Sequence, residues 1–182
     1  KTYTFKIREG VTFSDGTVCD ANAILANFNA IIENKERHTW LEMMNLLVGV
    51  SAPDDYTFVI ELSEAYYPML TELGCIRPFA MISPNCMIDG STKDGVEGYI
   101  GTGPYILTDF VTDEYAVFER NENYWGELPE IEKITVKVIP DNQTRIMALE
   151  SGEIDLIFGK NMLDADAISQ YVESDEFEVA LS

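Results

Sequence analysis

Residues 3–16, Tyr3-Thr4-Phe5-Lys6-Ile7-Arg8-Glu9-Gly10-Val11-Thr12-Phe13-Ser14-Asp15-Gly16, open with apolar and polar side chains alternating one by one. Alternation of period two marks a strand buried on one face. Tyr3, Phe5 and Ile7 are therefore expected to face a core, and Thr4, Lys6 and Arg8 to face water. Glu9-Gly10 turns the chain, and Ser14-Asp15-Gly16 turns it again. The period then changes to that of a helix. Asp20 is a good N-cap, and Ala23, Ile24, Asn27, Phe28, Ile31 and Ile32 fall on one helical face. Strand followed by one-sided helix predicts an α/β fold, with mixed sheets and flanking helices.

Working outward, residues 41–47 read as a shorter apolar helix and 48–51 as extended, up to the turn Pro53-Asp54-Asp55. Residues 56–62 form a strand rich in aromatic and β-branched side chains. Residues 66–73 read as a helix ended by Gly74, with Pro68 in its first turn. Glycines at 90, 95, 98, 101 and 103 mark a loop over 89–103, the expected internal boundary. This predicts an N-terminal α/β subdomain over 1–98 and a second sheet region over 99–182. In the latter, 105–111 and 115–120 alternate across Thr112-Asp113-Glu114 as an antiparallel pair. Strand 134–139, helix 140–150 closed by Gly152, and buried strand 154–158 suggest a crossover unit. A helix over 164–172 and a strand over 177–181 complete the chain.

Composition narrows the function. The 182 residues are 46% hydrophobic and 24% charged, the make-up of an ordinary globular protein. A chain this long buries roughly 70% of its unfolded surface and needs no disulfide or metal staple. Twelve basic against 32 acidic residues give a net charge of −20. The scattered cations form no patch that could neutralise phosphates, which excludes nucleic acid and disfavours an anionic membrane surface. No run of about 18 apolar residues exists to span a bilayer. Cys19, Cys75 and Cys86 lack C-x-x-C spacing and are odd in number, against a zinc knuckle or a closed disulfide framework. Lys1 opens directly into a strand without initiator Met or signal peptide, so the natural protein is expected to start upstream.

Catalytic chemistry finds no support. His38 is the only histidine, and no Gly-x-Ser-x-Gly elbow is present. Gly101-Thr102-Gly103 lacks the remaining residues of a dinucleotide or P-loop motif. No catalytic residue, intrinsic cofactor or protein-only metal site is expected. What stands out is Arg37-His38-Thr39-Trp40, a cationic and aromatic cluster in a chain with few cations, together with Arg77 in Ile76-Arg77-Pro78-Phe79. Arginine presents a fork matched to carboxylates, and tryptophan a flat face, a combination suited to a small anionic ligand. Alternatively, both arginines pair with acids and Trp40 packs as core.

The opening stretch and its helix resemble the signature of the family 5 extracellular solute-binding proteins, the peptide and nickel receptors of ABC importers. Ile100-Gly101-Thr102-Gly103-Pro104-Tyr105, Arg120-Asn121-Glu122-Asn123-Tyr124-Trp125-Gly126 and Glu150-Ser151-Gly152-Glu153-Ile154-Asp155 extend the likeness over essentially the whole chain. Arg37-His38-Thr39-Trp40-Leu41-Glu42, Ala65-Tyr66-Tyr67-Pro68 and Arg77-Pro78-Phe79 are similar to the nickel-binding branch. The resemblance implies part of lobe I of a periplasmic-binding-protein type II-like fold, with the second lobe absent from this chain. It implies a monomeric, extracytoplasmic receptor, periplasmic or lipid-anchored on the outer face of the cytoplasmic membrane. Such a receptor would capture a nickel–chelator complex for an ABC permease, and nickel would enter only as part of that ligand. Carried over, Arg37 and Arg77 would meet the chelator's carboxylates, with Trp40 as the aromatic wall beside it. The family's nickel-ligating histidine belongs to the other lobe, and His38 does not correspond to it. A short-peptide receptor is the nearest alternative, and a metal-dependent hydrolase a more distant one.

Overall fold

The computed structural model describes residues 1–159, 162–172 and 174–180. The chain divides into two units, Lys1–Asp109 with Val117–Thr135, and Phe110–Ala116 with Val136–Ser182. The boundary expected after residue 98 falls inside the first unit.

In the first unit, strands β1 (Thr2–Lys6), β2 (Leu47–Asp54) and β3 (Thr57–Leu62) form an antiparallel sheet of order β1-β3-β2. Tyr3 pairs with Ile60 and Phe5 with Phe58, so the alternation of the opening stretch matches the pleat of the central strand. Side chains of period two stand on opposite faces, and Tyr3 and Phe5 are half-buried while Thr4 and Lys6 are exposed. Helix α1 (Ala21–Glu33) begins where Asp20 accepts the Ala23 amide at 2.8 Å, satisfying a backbone donor that the helix itself leaves free. Its buried face places Phe28 4.8 Å from Phe58 and 5.8 Å from Phe79, ring centroid to centroid. Ile31, Leu41, Met43, Met44, Ile60 and Met69 fill the same core.

The 3-10 turn Lys35–His38, helix α2 (Glu42–Leu46), helix α3 (Met69–Leu73) and the short helical segment α4 (Ile76–Phe79) follow, and the three helices contribute Met43, Met44, Met69 and Phe79 to that core. Helix α3 starts later than expected because Pro68 becomes its N-cap, where the missing amide costs nothing. The expected loop over 89–103 contains a strand instead. Strand β5 (Ser91–Val96) folds back on β4 (Met87–Ile88) through Asp89 and Gly90, at φ 50° and 74°. Two successive positive φ values are the geometry of a tight hairpin turn.

Strands β6 (Tyr105–Val111), β7 (Tyr115–Arg120) and β8 (Lys133–Lys137) form a further three-stranded sheet in that order, the first two joined by the expected three-residue turn. In the second unit, Asp141 caps helix α5 (Asn142–Glu150), and Gly152, at φ 73°, follows its end. Helix α6 (Ala165–Val172) is tied back by Tyr171, which donates to Glu150 at 2.8 Å. Residues 154–158 are not a buried strand: Leu156 and Phe158 are exposed, no described strand pairs with them, and the Ile154 amide donates instead to the Ala148 carbonyl of α5. The expected crossover unit is therefore not formed among the described residues. Of the expected strand 177–181, residues 177–180 have no regular structure and Leu181 lies outside the described residues. No described helix is long and apolar enough to cross a membrane.

Candidate functional site

A cavity of about 220 Å³ opens within the first unit. Its floor is helix α1, through Asn27, Ala30, Ile31 and Asn34. Where α1 ends, Asn34 leads into the turn Lys35–His38, which contributes Arg37 and His38. The opposite wall is the stretch 77–82, carrying Arg77, and strand β5 adds Thr92.

Two anchors hold that opposite wall. Phe79 stacks on Phe28 of α1. Three residues on, the Asn27 amide donates to the Ile82 carbonyl at 2.8 Å and its oxygen accepts the Ile82 amide at 3.0 Å. One buried side chain thus supplies the pairing that a neighbouring strand would give, and Asn27 also donates to the Ala23 carbonyl at 2.9 Å. Two residues before Phe79, Arg77 is extended, at φ −109° and ψ 121°, as expected for a residue that precedes proline. The guanidinium is left free to reach the cavity.

Eleven described residues line the cavity, and none is acidic. Arg37 and Arg77 are both exposed, and among the described residues neither guanidinium forms an ion pair or hydrogen bond. The internal acid pairing that the sequence left open is thus not seen. His38, half-buried, lines the same cavity. Burial, then the charges of Arg77 and Arg37, hold its imidazole below the ordinary histidine value. Trp40, by contrast, is not in the lining and is 63% exposed, so it is neither part of this cavity nor packed as core.

Sequence reasoning brought forward Arg37, Trp40 and Arg77 and missed Asn27. Its signal was present: a polar residue in the middle of an apolar helical face must find hydrogen-bond partners once buried. No three His, Cys, Asp or Glu side chains among the described residues converge as a metal site. The three cysteines are unpaired, as their spacing suggested.

Comparison with known proteins agrees with this architecture. The chain is 44% identical to the nickel-binding periplasmic protein of Escherichia coli (strain K12), over 100% of this chain and 35% of the relative. The crystal structure of NikA from Brucella suis in complex with Fe(III)-EDTA matches with a TM-score of 0.92 and 45% identity, over 95% of this chain and 35% of that one. The periplasmic binding protein DppA from Helicobacter pylori, in complex with the peptide STSA, matches at a TM-score of 0.78 and 25% identity, over 96% and 37% of the two chains. The chain thus spans about a third of the length of these relatives. Residues 1–179 match the model of the bacterial extracellular solute-binding proteins, family 5 Middle. With the family match covering nearly every residue and the fold shared at high similarity, this chain belongs to the family 5 extracellular solute-binding proteins.

Proposed function

We propose that this chain forms the anion-recognising part of a receptor that captures a nickel–chelator complex outside the cytoplasmic membrane and delivers it to an ABC permease, catalysing no reaction. Arg37 and Arg77 receive the chelator's carboxylates, and Trp40, exposed outside the cavity's lining, is the aromatic wall for the part of the ligand that projects from it. Nickel travels as cargo inside the chelate and is not a resident cofactor. The observation that carries this reading is two unpaired guanidiniums facing one cavity without an acid in its wall, in a chain of 32 acidic and 12 basic residues. Exposed guanidiniums with no internal acid to meet keep their planar forks available for a carboxylate ligand. The nickel-binding name of the E. coli relative and the Fe(III)-EDTA of the Brucella structure support a metal chelate as the ligand class.

In this reading the chain is part of lobe I. A second lobe supplies the histidine that ligates nickel. The receptor works as a monomer, periplasmic or lipid-anchored on the outer face of the membrane. A short-peptide receptor is the second reading, favoured by the peptide in the Helicobacter structure, with the same arginines meeting a terminal or side-chain carboxylate.

The test is calorimetry of nickel chelates and short peptides with the full-length protein. Arg77→Lys should weaken chelate binding although charge is kept, because an ammonium cannot reproduce a planar two-toothed contact. Arg77→Ala should cost about 2–5 kcal/mol, on the order of thirty- to several-thousand-fold in affinity. Trp40→Ala should cost about 1 kcal/mol. Unliganded stability should hardly change in these variants, since all these groups are exposed. Unchanged chelate affinity in Arg77→Ala would reassign the arginine to structure, and tight peptide binding without chelate binding would favour the second reading.

A further inference from the structure

The cavity contains a titratable group that the proposed recognition of carboxylates does not use. His38 lies in its wall with Arg37 on the same turn and Arg77 on the facing stretch. Its imidazole makes no hydrogen bond or ion pair among the described residues. We propose that His38 takes up a proton when an anion seats between Arg37 and Arg77, so that the site binds its ligand with three cations although only two are present when it is empty. This rests on the anion-binding reading given above.

The argument is one of charge balance. In the empty cavity, an imidazolium would be partly desolvated and would face two guanidiniums with no carboxylate to offset them. The groups around it are known element by element. Its own turn presents Arg37, and α4 presents Arg77. Helix α1 presents the amides of Asn27 and Asn34, and β5 presents Thr92, none of which titrates. The neutral imidazole is therefore favoured, in agreement with the depressed proton affinity of His38, whose causes are burial and then Arg77 and Arg37. A bound dianion reverses the local sign. It offsets both guanidiniums and offers the protonated ring an acceptor, raising the proton affinity in the complex above that of the free site.

Linkage fixes the direction. A group that binds protons more tightly in the complex makes the ligand bind more tightly as pH falls, by at most about tenfold per pH unit between the free and bound pKa values. Because the free value lies below the ordinary histidine range, the effect belongs to mildly acidic conditions and fades toward alkaline pH. Release of ligand would then be promoted by a rise in pH.

The probe is nickel–EDTA, a dianion whose own charge does not change in this range. It is titrated into the full-length protein by calorimetry between about pH 5.5 and 8 in buffers of different ionisation enthalpy, which separates proton uptake from binding. The expected result is a fractional proton taken up per ligand and an affinity that rises several-fold as pH falls. In His38→Gln the uptake and the pH dependence disappear together. His38→Lys, which carries its charge throughout, also binds without uptake or pH dependence but more tightly than His38→Gln. Nickel–EDTA binding that is lost in Arg77→Ala but takes up no proton in the parent would overturn the role of His38 and leave the anion site standing. Absence of nickel–EDTA binding at every pH would overturn both.

Discussion

At the scale of single residues, Asp15 shows how much a turn can hold. Its carboxylate accepts the Ser83 hydroxyl at 2.7 Å, the Asn85 amide at 3.1 Å and the Thr17 backbone N–H at 2.9 Å. Burial pushes its pKa up, but these hydrogen bonds outweigh it and leave the group below the ordinary carboxylate value. A lowered folded pKa means that the contribution to stability is present above the unfolded value and is lost as pH falls through the folded one. Asp15→Ala leaves the Ser83 hydroxyl, which is 0% exposed, without its acceptor. We expect a loss of about 1–3 kcal/mol near neutral pH, read from the urea midpoint, with a smaller loss in acid where the parent carboxyl is itself protonated. An unchanged midpoint would show that the site relaxes to water. Ser14-Asp15-Gly16 was legible as a turn, but its clamp on Ser83 was not, because the partner is 68 residues away and no local pattern encodes it.

Among the elements, α2 is instructive because it has no cap of its own. Leu41 occupies its N-cap, and the orphan amides of Glu42 and Met43 are met instead by Glu72 of α3, at 3.2 and 2.9 Å. The same carboxylate accepts the Tyr66 phenol at 2.6 Å. That hydrogen bond, then burial and the charges of Glu72 and Glu42, push the phenol up to about 12. A raised pKa contributes stability that is whole below the ordinary phenol value and disappears as pH rises through about 12. Glu72→Ala should cost about 0.5–2 kcal/mol, as the loss of a helix cap does. The last-titrating phenol should also move toward the ordinary range in a phenolate absorbance titration, with Tyr66→Phe identifying it. A Tyr66 titration indifferent to Glu72→Ala would sever this link. The elements most legible beforehand were those whose pattern and cap agree: β1, β3, and α1 with Asp20. Strand β5 was hidden because Asp89-Gly90, a good hairpin signal, was read as part of a glycine-rich loop. Residues 154–158 have the composition of a strand but no described partner strand, and composition cannot supply one.

For the whole molecule, the sequence carried the arginine pair but not its geometry. Arg37 and Arg77 could be singled out because cations are scarce, whereas their convergence depends on Phe79 against Phe28 and on Asn27 against Ile82, contacts made only after folding. Trp40 was grouped with them by nearness to Arg37 in sequence, yet three residues further along it lies outside the cavity wall. The contrast between this basic cavity and an acidic body of net charge −20 has a kinetic consequence. An anion diffusing toward the molecule first meets a repulsive field from the many carboxylates and feels the two guanidiniums only at close range. Added salt shortens the reach of the field to roughly 10 Å at about 0.1 M, which weakens the distant repulsion more than the local attraction. The association rate of an anionic chelate, followed by stopped-flow, should therefore rise between about 10 and 150 mM salt, the reverse of ordinary electrostatic steering. A rate that falls over that range would mean that the cavity's field reaches beyond the acidic surface. If it rises, ligand entry is set by ionic strength through a barrier that no residue of the cavity creates.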